Sequence, residues 1–114
     1  MEIKTENYSI GYDTTTETVF WEGDLYLNGS EEYAPISDLL NNVMKQDLSN
    51  LVLNLKHLNF LNSSGINVLS KFIIQLRQKG NITVVVLGSK AIPWQVKSLR
   101  NLQKLMPSLE LNME

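Results

Sequence analysis

The residues best placed to do chemistry are three in a row followed by a glycine, Asn62-Ser63-Ser64-Gly65. They lie between an apolar run, Leu51-Val-Leu-Asn-Leu55, and a stretch with helical spacing that starts at Ile66. A serine at the start of a helix either caps it or is free to react. Capping means accepting a hydrogen bond from a first-turn backbone N–H, worth about 1 kcal/mol. Asn62, Ser63 and Ser64 can all cap, which is more than one helix end needs. The helix N-terminus also carries roughly half a positive charge and unpaired N–H groups. A phosphate on Ser63, with about −1.5 to −2 charges, is therefore tolerated by its own domain and disrupts a partner surface that is acidic or apolar. Residue types and spacing leave two readings open, a plain cap and a phosphate-controlled binding switch.

Other chemistries find no footing. His57 precedes Ser63 by six residues, so a Ser-His pair can be drawn, but no third acid or oxyanion donor set accompanies it. There is no Gly-x-Ser-x-Gly elbow, because Leu61-Asn62 precede the serines. With one histidine and no cysteine, a metal site is not expected. Neither glycine-rich phosphate loop is present, so no cofactor is expected either. The reading is a non-enzyme.

The elements around the serines follow from periodicity. Tyr8, Ile10 and Tyr12 alternate with Ser9 and Gly11, a short strand, and Thr18-Val-Phe-Trp-Glu22 is a second, antiparallel to it across a polar turn. Gly23 interrupts that strand before Leu25-Tyr-Leu27 and suggests a bulge. Ile36, Leu39, Leu40, Val43 and Met44 form one helical stripe after Pro35. Leu51–Leu55 reads as a strand covered on both faces. Ile66, Leu69, Phe72, Ile73 and Leu76 make the next stripe, closed by Gly80-Asn81. Ile82–Leu87 is β-branched and apolar, a strand. A helix opens at Pro93 with Val96, Leu99, Leu102 or Gln103, and Met106 inward, and Ser108–Leu111 is a last short strand. Alternation of this kind gives an α/β fold with a mixed, mostly parallel central sheet of about five strands and helices packed on it. Trp21 and Trp94 read as core anchors. Lys90, Lys97 and Arg100 read as a solvated face, with contact to an anion or acidic partner as the lesser option.

The chain has 114 residues, 43% hydrophobic and 19% charged, which fits a single globular domain over residues 1–114. The net charge of −2 and the absence of an obvious basic patch argue against nucleic acid. No apolar stretch approaches the ~20 residues that span a bilayer, and the N-terminus does not read as a secretion signal. The expected location is the cytoplasm, without membrane contact.

Leu58-Asn-Phe-Leu-Asn62-Ser63-Ser64-Gly65-Ile66-Asn-Val-Leu69 resembles the signature of STAS domains, the anti-sigma-factor-antagonist family. There an apolar strand, a short loop, Asp-Ser-Ser/Thr-Gly and an apolar helix follow one another. Gly23-Asp24-Leu25 looks like the family's Gly-x-Leu at the end of its second strand. With the Ile82–Leu87 strand and the order of elements, the resemblance covers almost the whole chain, and its short form is similar to the small cyanobacterial STAS proteins.

The resemblance implies a bacterial, non-enzymatic module for signal transduction and transcription regulation by partner switching. The unphosphorylated form binds a GHKL-type anti-sigma kinase, the kinase phosphorylates Ser63, and a PPM-type phosphatase reverses this. Ser64 and Gly65 complete the motif. The implied interface is an Asn59–Gly65 loop, the exposed start of the following helix, and the Asn28–Glu32 loop including Gly29. The family's aspartate is Asn62 here. An amide supplies no carboxylate, which implies slow phosphorylation unless the kinase brings its own base, and Asn62→Asp is expected to speed it. The alternatives are a scaffold-type STAS module whose serine is not phosphorylated, and a small-ligand or nucleotide sensor. Many members carry a final helix that Met113-Glu114 leaves no room for, which implies a face open to a partner or a second copy.

Overall fold

A computed structural model describes all 114 residues. The elements are β1 (Glu2–Lys4), β2 (Tyr8–Asp13), β3 (Thr18–Leu25), α1 (Gly29–Glu32), α2 (Ala34–Met44), β4 (Asn50–Leu61), α3 (Ser63–Lys79), β5 (Thr83–Gly88), α4 (Pro93–Leu105) and β6 (Glu110–Met113). All six strands form one sheet whose spatial order is the sequence order. β1, β2 and β3 are an antiparallel meander, and β3 to β6 run parallel. The sheet has six strands rather than about five. The extra one, β1, has three residues and only Ile3 half-buried, too little alternation to register as a strand in the sequence.

The β2–β3 turn is shaped locally. The Asp13 carboxylate accepts from the Thr15 N–H at 2.9 Å, and Glu17 takes the left-handed conformation at φ 52°. The interruption expected at Gly23 is present as a register shift against β4. Gly23 has φ 93°, and a Cβ there would lie 2.2 Å from the Asn7 carbonyl oxygen, so only glycine fits.

Each parallel crossover steps to the next strand in the same direction. Right-handed crossovers of that kind lay α2, α3 and α4 on one face of the sheet. Burial follows: Leu51, Leu53 and Leu55 of β4 are fully buried, while Val52, Asn54 and Lys56 between them are half-exposed. The expectation of a strand covered on both faces is therefore corrected; the other sheet face carries no helix.

The helical stripes sit largely where periodicity puts them. Ile36, Leu39, Leu40 and Val43 of α2 and Leu69, Phe72, Ile73 and Leu76 of α3 are buried in a single core cluster. Each such side chain contributes roughly 1.5–3 kcal/mol relative to exposure. On α4 the inward positions are Gln95, Leu99 and Leu102, with Val96 only half-buried. Trp21 is fully buried, and Trp94 packs half-buried against the core. No helix is long and apolar enough to cross a membrane.

Candidate functional site

The site is built where β4 stops being regular. Between Asn50 and Asn54 the strand pairs with β5, and the ladder ends there. Beyond it the β3 register shifts twice, between Phe20 and Glu22 and between Gly23 and Asp24. The carbonyls left facing the vanished β5 ladder are taken by side chains of α4. Gln95, fully buried, donates from Nε2 to Leu55 O at 2.6 Å and Leu58 O at 3.0 Å, and its Oε1 accepts from Ser89 N at 2.7 Å. Trp94 Nε1 donates to Leu58 O at 3.1 Å. A glutamine in an apolar stripe thus replaces a stretch of ladder.

β4 runs on to Leu61, so Asn59 lies exposed inside the bulged strand and not in a loop, which corrects the Asn59–Gly65 loop. The turn itself is Asn62. Its backbone is extended, at φ −79° and ψ 177°, and it is the N-cap of α3. Its Oδ1 accepts from Gly65 N at 3.0 Å and from the Tyr33 hydroxyl at 2.7 Å, while Nδ2 donates to Leu27 O at 2.7 Å. The amide thereby ties together the end of β3, the start of α2 and the first turn of α3. A carboxylate could accept the first two bonds but would oppose the Leu27 carbonyl with a lone pair. Burial pushes the Tyr33 phenol up to about 12, so it stays a proton donor through the neutral range. A Cβ on Gly65 would meet Leu61 Cδ1 at 2.2 Å and the Tyr33 oxygen at 2.6 Å, so the motif glycine makes room for this clamp.

With Asn62 as the cap, the two serines are released from it. Neither hydroxyl makes a hydrogen bond within the chain. Ser63, the first helical residue, is exposed, and Ser64 is half-buried. Ser64 lines a shallow cleft of about 260 Å³ with Gly29, Ser30, Asn67, Val68 and Lys71, so α1 lies beside the motif, and Gly29–Glu32 is a short helix where the sequence reads as a loop. Asn28 is exposed, and its N–H donates to Glu32 Oε1 at 3.2 Å. His57 is exposed opposite Glu22 in the β3 ladder and is not bonded to either serine. No three His, Cys, Asp or Glu side chains converge.

Three contributors are not legible as site residues in the sequence: Tyr33, the Leu27 carbonyl and Gln95. A fourth feature is an aromatic pair. Tyr26 is 63% exposed and stacks on Phe60 with ring centroids 4.3 Å apart, just before the motif. Its only signal in the sequence is an aromatic residue near the end of each of two β-prone stretches.

An α/β sheet of this order, with a serine-bearing turn leading from a central strand into a helix, defines a class of protein that the family comparison identifies. The STAS domain model matches residues 22–109, and the chain belongs to the STAS family. Among solved structures, SiaC of Pseudomonas aeruginosa is similar over 100% of this chain and 96% of its own, with TM-score 0.76 and 18% identity. A chain of the crystal structure of the diguanylate cyclase SiaD in complex with its activator SiaC, from the same organism, matches over 100% of this chain and 99% of that one, with TM-score 0.76 and 17% identity. Likeness at that identity is likeness of fold. No curated protein sequence matches the chain.

Proposed function

We propose that this protein is a non-enzymatic, cytoplasmic STAS module that regulates by switching protein partners, with Ser63 as the phosphorylated residue. The observation that carries the reading is the division of labour at the turn: Asn62 makes the cap, so the exposed Ser63 hydroxyl has no structural task. The first two N–H groups of α3, on Ser63 and Ser64, precede those engaged by Asn62, which bind Gly65 and Ile66. A phosphate on Ser63 therefore meets unclaimed donors and the positive end of the helix, while its charge alters the surface a partner sees.

The partner is a protein. Membership of the STAS family supports a GHKL-type anti-sigma kinase as that partner, with an opposing PPM-type phosphatase. The complex of SiaD with SiaC adds a diguanylate cyclase as another partner class the fold engages. The partner contacts the exposed first turn of α3, the cleft shared with Gly29, and the Tyr26–Phe60 pair. Incubation with a GHKL kinase encoded beside the protein, and ATP, should add one phosphate by intact mass, absent in Ser63→Ala. No mass gain with any neighbouring kinase would overturn the switch and favour the scaffold reading. That second reading has its own support: the Asn62 side chain is fully engaged, and no carboxylate stands at that position beside Ser63.

A further inference from the structure

Charge is sorted along this chain. From Glu6 to Asp38 there are eight acidic side chains and no lysine or arginine. Between Asp47 and Glu110 there are eight lysines and arginines and no acidic residue at all. Because the strands lie side by side in sequence order, this sorting is spatial. β2, β3, α1 and α2 form an acidic side, and α3 and α4 form a basic one. The net charge of −2 hides it. Nor is the basic side neutralised internally, since the one ion pair in the molecule is Lys56 with Glu114, 3.7 Å apart on the sheet.

The basic side holds a groove. α3 and α4 enclose a trough of about 220 Å³ lined by Ile66, Ser70, Ser98, Asn101, Leu102 and Leu105. The two serines keep it open, and the aliphatic side chains give it an apolar floor. Residues seven apart fall on nearly the same side of a helix. Ser63, Ser70 and Arg77 thus form one line along α3 beside the groove, and Lys97 and Lys104 form another on the exposed crest of α4. Arg77 marks the far end, its Nη1 donating to Leu105 O at 3.0 Å. Ser63 marks the near end. The line spans roughly 20 Å, several turns of a docked helix.

We infer that the α3–α4 groove is a docking site for an acidic amphipathic helix of a partner protein. Apolar side chains of that helix enter between Ile66 and Leu105, and its carboxylates face Lys97 and Lys104. The apolar floor with small side chains suits ridges-into-grooves packing of a third helix. Unpaired cations along one rim, with no acid on either wall, select for negative charge. A long polyanion is a poorer fit, because the acidic side of the molecule begins one helix away. The groove rests on geometry and charge alone. Its control by Ser63 rests on the proposed function: a phosphate at the groove mouth repels an acidic helix, so phosphorylation releases the partner.

The probe is a capped Leu/Ala/Glu helical peptide of about 18 residues, five turns, with a Leu/Ala/Lys counterpart. Titrated into isotope-labelled protein, the acidic peptide should shift the amides of Ile66, Ser70, Ser98 and Asn101, and the basic one should not. Lys97→Glu with Lys104→Glu should weaken binding by about tenfold or more, and raising salt from about 50 to about 300 mM should weaken it several-fold. Both lysines are exposed, so the variant folds, and unchanged spectra away from the groove verify this. Asp38→Lys, on the acidic side, should leave binding unchanged. Equal binding of both peptides, shifts on another face, no shift with the acidic peptide, or a short DNA duplex displacing it would each overturn the inference. Ser63→Asp should also weaken the peptide about tenfold. If it does not while the groove binds, the coupling to the switch is wrong and the groove stands. If Ser63 is never phosphorylated by its kinase, the proposed function fails and the groove again stands.

Discussion

The two halves of β4 are built differently. From Asn50 to Asn54 every residue has a partner on β5, and Val52 to Asn54 also pair with β3, an ordinary ladder in which no side chain is needed to hold the backbone. From Leu55 to Leu61 the β5 ladder is gone, the β3 register slips twice, and polar side chains hold the strand instead: Gln95 and Trp94 from one side, Asn62 at the end. A ladder spreads its stability over many equivalent bonds, so one substitution removes little. A clamp concentrates it in a few atoms. The half that presents Ser63 is therefore free to bend into α3, and each residue holding it is hard to replace.

Gln95 should show this most sharply. Gln95→Leu keeps the size but strands Leu55 O and Ser89 N without their bonds inside the protein. At about 1–3 kcal/mol for each of these two groups left unpaired, the loss should be roughly 2–6 kcal/mol in equilibrium denaturation. In the regular half, Val52→Thr on the open sheet face keeps the β-branch and should stay within about 0.5 kcal/mol. Equal losses at the two positions would erase the distinction between ladder and clamp.

Asn62→Asp comes next. The carboxylate keeps the bonds from Gly65 N–H and Tyr33 but replaces a donor to Leu27 O, now 2.7 Å away, with an acceptor. The expected loss is about 1–3 kcal/mol by thermal or chemical denaturation. Against the expectation drawn from the family pattern, the change should not speed phosphorylation of Ser63, because the loop that positions it is loosened. A faster rate measured by intact mass would show that the carboxylate's chemistry outweighs the clamp.

Tyr33→Phe removes one bond of the same clamp and should cost about 1 kcal/mol. It also changes the alkaline limb of stability. In the folded protein Tyr33 keeps its proton to about 12, whereas an unfolded tyrosine loses it at about 10. Stability is thus full below about pH 10 and falls as pH rises from about 10 toward 12. Tyr33→Phe should make that fall shallower without abolishing it, since burial also raises the Tyr12 phenol. An unchanged slope in melting temperature against pH would place the phenol outside the buried clamp.

These three residues also mark the limit of what the sequence discloses. β5 and α3 are legible because a β-branched apolar run and a long stripe of period 3.6 each fit a single kind of element, and the Asn62-Ser63-Ser64-Gly65 turn stands out before the second. The clamp is not legible. Gln95 sits next to Val96, and inward placement of the apolar residue is the default, overridden only because the β4 carbonyls need a donor. Asn59 reads as loop because asparagine is common there, and the bulge that keeps it in the strand depends on pairing with β3. Tyr33 and Asn62 are 29 positions apart, and nothing local announces their bond. Hydrophobic pattern reveals which segments pack. The polar atoms that finish the packing are chosen by contacts distant in sequence.

The smallest effect is the most informative about the site. Asn62 and Ser63 are neighbours at one helix end, and the residue types alone allow either to be the cap. If the division seen here is right, Asn62→Ala removes three hydrogen bonds, the cap among them, a loss of about 2 kcal/mol or more. Ser63→Ala removes an exposed hydroxyl bonded to nothing and should change stability by less than about 0.5 kcal/mol. Paired denaturation curves decide it. A loss above about 1 kcal/mol for Ser63→Ala would give its hydroxyl a structural task, and the serine would no longer be free to carry a phosphate at no cost to the fold. A neutral Ser63→Ala beside a costly Asn62→Ala leaves the serine with no duty in the fold, which is the condition a switch requires: it can change charge while the domain that carries it stays as it was.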